Sequence, residues 1–460
     1  MSKWISQNTW RLLVVGALIA LLGLAVACGD DDDDDGDDAG ETTAPAGTTA
    51  PAGTGDGGDG EALKIGLLAP YTGGLASFGP QFENAVKLAV DQINAAGGVN
   101  GQDVELVTGD EGESADSAIA EATRLVDTEG VSAIIGAAGS TRALAVAESV
   151  TGPKGILQIT PSATSPALTP ANDSDFLFRT PISDAAQGIV LAQLVEDEGY
   201  TSVCTMYVNN AYGQGLTQNF EAAFSGTVTA QIPHPESGTT FVSELNQCVA
   251  DSPQALVAIS YPKGQAEVYL REAIEQSIIT EFVFVDGTKD GATFKTLGWE
   301  TFDGMKGTAP SALETDNGAA FDADYEAAYG EGYSVPFIRE SYDAALLIAL
   351  AAQAAGSTDG AAMRDALRDL AGSPGDPYGP GAEGVAGALA ALEAGDDIDY
   401  QGASGIVEFD DNGDILIGAI EVWHVDAAAA AAAPDDVSKG LITDEVYKVD
   451  LEAATVELIP

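Results

Sequence analysis

IIGAAGSTRALAVAESVTGPKGILQITPSATSPALT, residues 134–169, holds two short apolar runs, and each passes straight into a hydroxyl-rich turn. Gly139-Ser140-Thr141 follows the first run, and Thr160-Pro161-Ser162-Ala163-Thr164 follows the second. Short apolar runs separated by a helical-period segment read as neighbouring strands of a parallel sheet. In an open α/β sheet, ligands settle outside the carboxyl ends of the strands, where backbone N–H groups and helix N-termini face outward. Two such turns side by side predict half of a small-molecule cleft.

The same rhythm runs outward in both directions. Before the stretch, strands are expected at 64–70, 103–108 and 131–136, with helices at 82–96 and 114–129; within it, a helix at 141–150 leads to a strand at 155–159. After it come helices at 184–198, 213–224, 239–250 and 264–276, alternating with strands at 202–208, 227–232, 254–259 and 281–285. Strict alternation of this kind means parallel sheets covered on both faces, and two series of similar size predict two lobes with a cleft between them. From about Met305 the pattern turns helical, at 319–329, 339–355 and 361–370. A Pro/Gly loop is expected over 373–387, then a β-hairpin of 405–409 and 414–420 around Asp410-Asp411-Asn412-Gly413. That stretch reads as a turn rather than a calcium loop.

The chain has 460 residues, enough for two to three domains. Its 72 acidic and 18 basic residues give a net charge of −54, which repels phosphate backbones and anionic headgroups and excludes nucleic-acid binding. The N-terminus carries Lys3 and Arg11, an apolar run over 12–27 and then Cys28, the layout of an export signal. Leu24-Ala25-Val26-Ala27-Cys28 resembles a bacterial lipobox, which makes Cys28 the expected lipidation site after removal of 1–27. Ala25-Val26-Ala27 also satisfies ordinary signal cleavage, so a freely secreted or periplasmic form is the alternative. Residues 28–62, with eight acids between Asp30 and Asp38, read as a disordered tether.

Cys204 and Cys248 are left as an even pair, which outside the cytoplasm suggests a disulfide; two buried thiols are the other reading. His234 and His424 form neither a metal set nor a nucleophile–base pair. Residues 70–79, PYTGGLASFG, lack the compact G-x-G-x-x-G spacing, and no P-loop lysine motif occurs, so nothing points to an enzyme.

Six motifs in order then carry a resemblance: IGLLAPYTGGLASFG (65–79), AVDQINAAGGVNGQDVEL (89–106), ITPSATSPALT (159–169), FRTPISDAAQG (178–188), VNNAYGQGL (208–216) and GASGIVEFDDNGD (402–414). Over about 63–426 the chain resembles the extracytoplasmic substrate-binding proteins of branched-chain amino-acid ABC transporters, of the type I periplasmic-binding-protein fold. The resemblance implies an α/β molecule of two Rossmann-like lobes with parallel sheets. Three crossovers are implied, near Pro181, near Ala309 and within 402–413, so that 63–181 with 310–404 form lobe 1 and 182–309 with 405–460 form lobe 2.

The resemblance also implies a ligand set. Ser140 and Thr164 would give hydroxyls to the carboxylate of an amino acid, Ser162 its carbonyl to the ammonium group, and Asp286 a counter-charge. Tyr212 and Tyr261 would close over the ligand from the second lobe, and Phe78 would cover it from the first. Two positions depart from the family's commoner residues: Asp286 where Glu is usual, and Phe78 where Tyr is frequent. The implied partners are a small amino acid or related amide, an ABC permease with its ATPase subunits, and the membrane through a lipid anchor, for a monomer with no cofactor. A ligand sensor of the same fold, feeding a signalling system, is the alternative.

Overall fold

The computed structural model describes residues 62–313, 316–371 and 374–459. The export segment, Cys28 and all but the last residue of the tether lie outside the described residues. Five strands make the first sheet: β1 (Lys64–Ala69), β2 (Glu105–Asp110), β3 (Ala133–Gly136), β4 (Leu157–Thr160) and β5 (Leu177–Arg179). They lie in the order β2-β1-β3-β4-β5, with every neighbouring pair parallel. AIIG and LQIT, the two runs that flank the hydroxyl turns, are buried at each residue, as strands covered on both faces must be. The helix Gly79–Ala95 covers one face through Phe82, Val86, Ala89 and Ile93, spaced at three and four residues. Gly97 and Gly98, at φ of +110° and +77°, end it in conformations that favour glycine.

The second sheet contains β6 (Ser202–Val208), β7 (Thr227–His234), β8 (Ala255–Ile259) and β9 (Phe282–Val283), in the order β7-β6-β8-β9 and again parallel. A parallel bridge between Phe284 and Gly307 sets β10 (Lys306–Ser311) beside it. Cys204 on β6 and Cys248, at the end of the helix Val242–Cys248, form a disulfide with Cα atoms 5.5 Å apart. His234 is core: it is buried against Phe241 and Tyr269 and bonded to Ser260 Oγ at 2.7 Å.

The late helix Ile338–Ala355 is buried on nearly every side and packs on Gly79–Ala95 and against β3 and β4, so it serves the first sheet. Two expectations need correction here. The segment 373–387 is not all loop: β11 (Asp376–Tyr378) pairs with β12 (Ile398–Tyr400), and the helix Ala382–Ala394 lies between them. Nor do 405–409 and 414–420 form a hairpin; one bridge, Phe409 to Ile415, is all that joins them. The turn itself is present, with Asp410 Oδ1 accepting the N–H groups of Asn412 and Asp414 at 2.8 and 2.9 Å.

The following strand, β13 (Ile417–Val425), buries Ile420, Trp423 and Val425 and needs partners on both edges. It finds them in β10 and in β14 (Leu441–Asp450), both antiparallel, and β15 (Thr455–Ile459) completes that sheet. The chain segments between the two halves run side by side. Ile182 is bridged to Ile415, the Arg179 N–H donates to Gly413 O at 3.0 Å, and Arg179 Nε lies 2.7 Å from Asp414 Oδ1. Among the described residues no helix is long and apolar enough to cross a membrane.

Candidate ligand cleft

Both hydroxyl turns sit at the carboxyl end of the first sheet, and their own hydrogen bonds hold them. Thr160 Oγ1 donates to Ala137 O at 2.7 Å and Ser162 Oγ to Ala138 O at 3.1 Å. Ser140 Oγ accepts the Ser165 N–H at 3.3 Å, which joins one turn to the other. Ser140 does not precede its helix as expected: Gly139 is the N-cap and Ser140 is the first helical residue. The helix is a short α-turn that widens into a π-turn over Ala147–Thr151, and Gly155 closes its end at φ +66°.

The second sheet answers from the opposite side. Tyr212 lies one residue into the helix Ala211–Ala223, whose cap is Asn210; Tyr261 follows β8, and Asp286 follows β9. The two tyrosine rings stack 5.5 Å apart, 11° from parallel. Asp286 is 3% exposed, and its Oδ1 accepts from Tyr212 Oη and from Gln187 Nε2, both at 2.8 Å. Burial pushes the Asp286 carboxyl up to about 6, while the bonds from Tyr212 and Gln187 pull it down. Behind it stands Asp184, raised well above the ordinary carboxylate range by burial and by the nearby charge of Asp286. The Tyr212 phenol is raised for the same two reasons.

Phe78, Ser140, Ser162, Tyr212, Tyr261 and Asp286 all line one gap, together with Leu75, Ala138, Gly287 and Phe337. Thr164 is not among them. It is buried one layer back, where its carbonyl accepts the Asp184 N–H at 2.9 Å and Arg179 Nη1 at 3.0 Å. Its hydroxyl, next to the Asp184 carboxyl, makes no hydrogen bond of good geometry.

The gap measures about 10 Å³, room for about one water. Its narrowness follows from direct bonds across it. Ala211 N–H donates to Thr141 Oγ1 at 2.9 Å, Ser165 Oγ donates to Ala211 O at 2.8 Å, and the Lys263 N–H donates to Gly74 O at 3.0 Å. An amino-acid-sized ligand therefore enters only when the two sides separate.

Sequence reasoning missed Leu75, Phe337, Gln187 and Asp184. The last two had a signal: two polar residues three apart in the helix Asp184–Asp197, which is otherwise apolar where it is buried. Phe337 had none, because its placement depends on a left-handed backbone, φ +72°, at the start of the helix Ile338–Ala355. No group of three or more His, Cys, Asp or Glu able to hold a metal occurs among the described residues. Chemically, a carboxylate that shares an aromatic-lined gap with two serines complements a small zwitterion.

Comparison with known proteins gives consistent matches. A family model described as periplasmic binding protein matches residues 62–388. The chain is 26% identical over 373 residues to the chemotactic signal transduction system substrate-binding protein BasB of Halobacterium salinarum, covering 76% of this chain and 84% of that one. It is 28% identical over 316 residues to the leucine-, isoleucine-, valine-, threonine-, and alanine-binding protein of Pseudomonas aeruginosa, covering 67% and 82%. Among solved structures, a leucine-binding protein LivK from Thermotoga maritima superposes with a TM-score of 0.69 at 22% identity, covering 85% of this chain and all of the other.

Proposed function

The chain belongs to the periplasmic binding protein family, and from that premise we propose that it is an extracytoplasmic solute-binding protein that captures a small amino acid between its two lobes. The observation that carries this reading is the meeting of Asp286 with Ser140 and Ser162 at one gap, walled by Phe78, Tyr212 and Tyr261. Asp286 would pair with the ammonium group, which offsets the cost of burying its charge. Ser140 and nearby N–H groups would hold the carboxylate. Thr164, one layer back with its hydroxyl beside the Asp184 carboxyl, would turn to the carboxylate when the cleft opens. The name of the Pseudomonas relative supports a branched-chain or small aliphatic ligand.

Lobe 1 would comprise 63–181 and 310–404, and lobe 2 182–309 and 405–460. The ligand favours the closed form because it touches both lobes, and a permease with its ATPase subunits would receive it from that form. The lipobox-like sequence supports anchoring through Cys28 on the outer face of the membrane. Calorimetric titration with a panel of amino acids, short amides and urea tests the reading; failure of every amino acid to bind more tightly than about 1 mM would sink it. The match to BasB supports a second reading, a sensor that hands its closed form to a signalling receptor. A gene neighbourhood with a transducer and no permease would favour that role.

A further inference from the structure

We propose that a second cavity, between strands β10 and β13 and the start of the helix Ile338–Ala355, is a binding site for a small organic cation of the ammonium or guanidinium class. The cavity has a volume of about 210 Å³ and shares only Phe337 with the ligand cleft. Ser311, Glu340, Glu421, Ser438 and Thr443 line it, the last two from the C-terminal segment.

Its charges are all matched except one. Glu421 is paired with Lys289, Arg339 Nη2 lies 2.6 Å from Asp322 Oδ2, and Tyr333 Oη donates to Asp322 Oδ1. Asp343, on the same helix, accepts from Tyr400 Oη and from the N–H groups of Ala403 and Ser404. Glu340 is 5% exposed and lines the cavity, yet among the described residues no other residue donates a hydrogen bond to its carboxyl. Burial raises that carboxyl to about 8, and the charges of Asp343 and Glu421 add to the rise while Arg339 opposes it.

An unpaired buried carboxyl stays protonated until a counter-charge arrives. A cation entering the cavity would take the place of that proton, which leaves for the buffer, and Glu340 would remain as the paired carboxylate. Serine and threonine hydroxyls around the cavity offer acceptors to the cation's remaining N–H groups. An anion would meet Glu340 and Glu421 and find both cations already engaged.

The test is calorimetric titration of the full chain with methylguanidine hydrochloride at pH 7, in two buffers of different ionisation enthalpy, with methylurea as the neutral isostere. The expected result is saturable binding with an apparent enthalpy that differs between the buffers, because a proton is released. Glu340→Gln should weaken it about tenfold or more, and methylurea should bind as weakly. Ser438→Phe, which fills the cavity and leaves the Glu340 carboxyl in the chain, keeps the test alive if Glu340→Gln does not fold. Equal binding by both variants, or no saturation by about 50 mM, overturns the proposal. So does loss of methylguanidine binding in saturating leucine, which would place the cation in the cleft. Failure of leucine to bind bears on the amino-acid reading alone.

Discussion

Arg142 reaches from the first sheet to the second, its Nη1 2.9 Å from Oε2 of Glu236, the residue two past the end of β7. On its own side, Arg142 Nε lies 2.7 Å from Glu111 Oε1, and the Arg142 guanidinium stands 5.9 Å from the centre of the Tyr261 ring. Glu236 in turn accepts from Asn210 Nδ2 at 2.9 Å. The contact is thus a charged latch across the closed cleft.

Glu236→Gln should loosen that latch without unfolding either half. Ligand affinity is expected to fall about tenfold, the scale of a modest coupling energy, and solution scattering of the unliganded protein should show a larger radius of gyration. An unchanged radius and affinity would show that the pair does not hold the cleft shut. Arg142→Ala should behave differently, since it strands the fully buried Glu111; a loss of about 3–5 kcal/mol of stability is expected, read by urea denaturation.

Asp286→Asn should trade binding for stability. The native carboxyl is raised from 3.8 to about 6 by burial, so ionising it opposes folding. Its contribution is complete below about pH 4 and is lost as pH rises towards 6. Above that window the unliganded Asn variant should be more stable than the parent by on the order of 3 kcal/mol, and near pH 4 the difference should vanish. Thermal melts between pH 4 and pH 8 check the shape, and amino-acid titration should show affinity lost.

Tyr212→Phe removes the 2.8 Å bond to Asp286 and leaves the Gly287 N–H, 3.2 Å from the same hydroxyl, without its acceptor. A loss of about 1–3 kcal/mol is expected, with the Asp286 titration moving upward. Carbon-detected NMR titration of the Asp286 carboxyl would report the second effect, and a carboxyl that does not move would show that the phenol does not govern its charge.

Reduction of the Cys204–Cys248 bond, or the double Cys→Ser change, should lower stability by about 4 kcal/mol on the chain-entropy account, given a sequence separation of 44. Ligand affinity measured well below the melting temperature should not change, because neither cysteine lines the cleft.

Sequence and structure part company where pairing is distant. The turns that hold Ser140 and Ser162 were legible because each follows a short apolar strand, a position that local pattern identifies, whereas Tyr212, Tyr261 and Asp286 entered only through the resemblance. Strand β13 was misread because its near turn, Asp410 to Gly413, offers a plausible local partner, while its actual neighbours Lys306–Ser311 and Leu441–Asp450 leave no trace in the adjoining residues. The helix Ala382–Ala394 was hidden by the Gly- and Pro-rich stretch before it, and Gly387 sits within it where a side chain would collide with Tyr378. Glu340 looked like any helical acid in so acidic a chain; only packing shows that it faces a cavity.

The three chain passages between the halves are laid edge to edge: Ile182 meets Ile415 and packs against Gly418, and Ser311 is paired with Ala419. A single strap would let the halves swing and twist in any direction. Three straps fastened to one another leave one easy degree of freedom, a rotation about the line across them. Opening would then retrace the path of closing, and the two faces of the cleft would meet in the same register on every cycle, with no search over orientations.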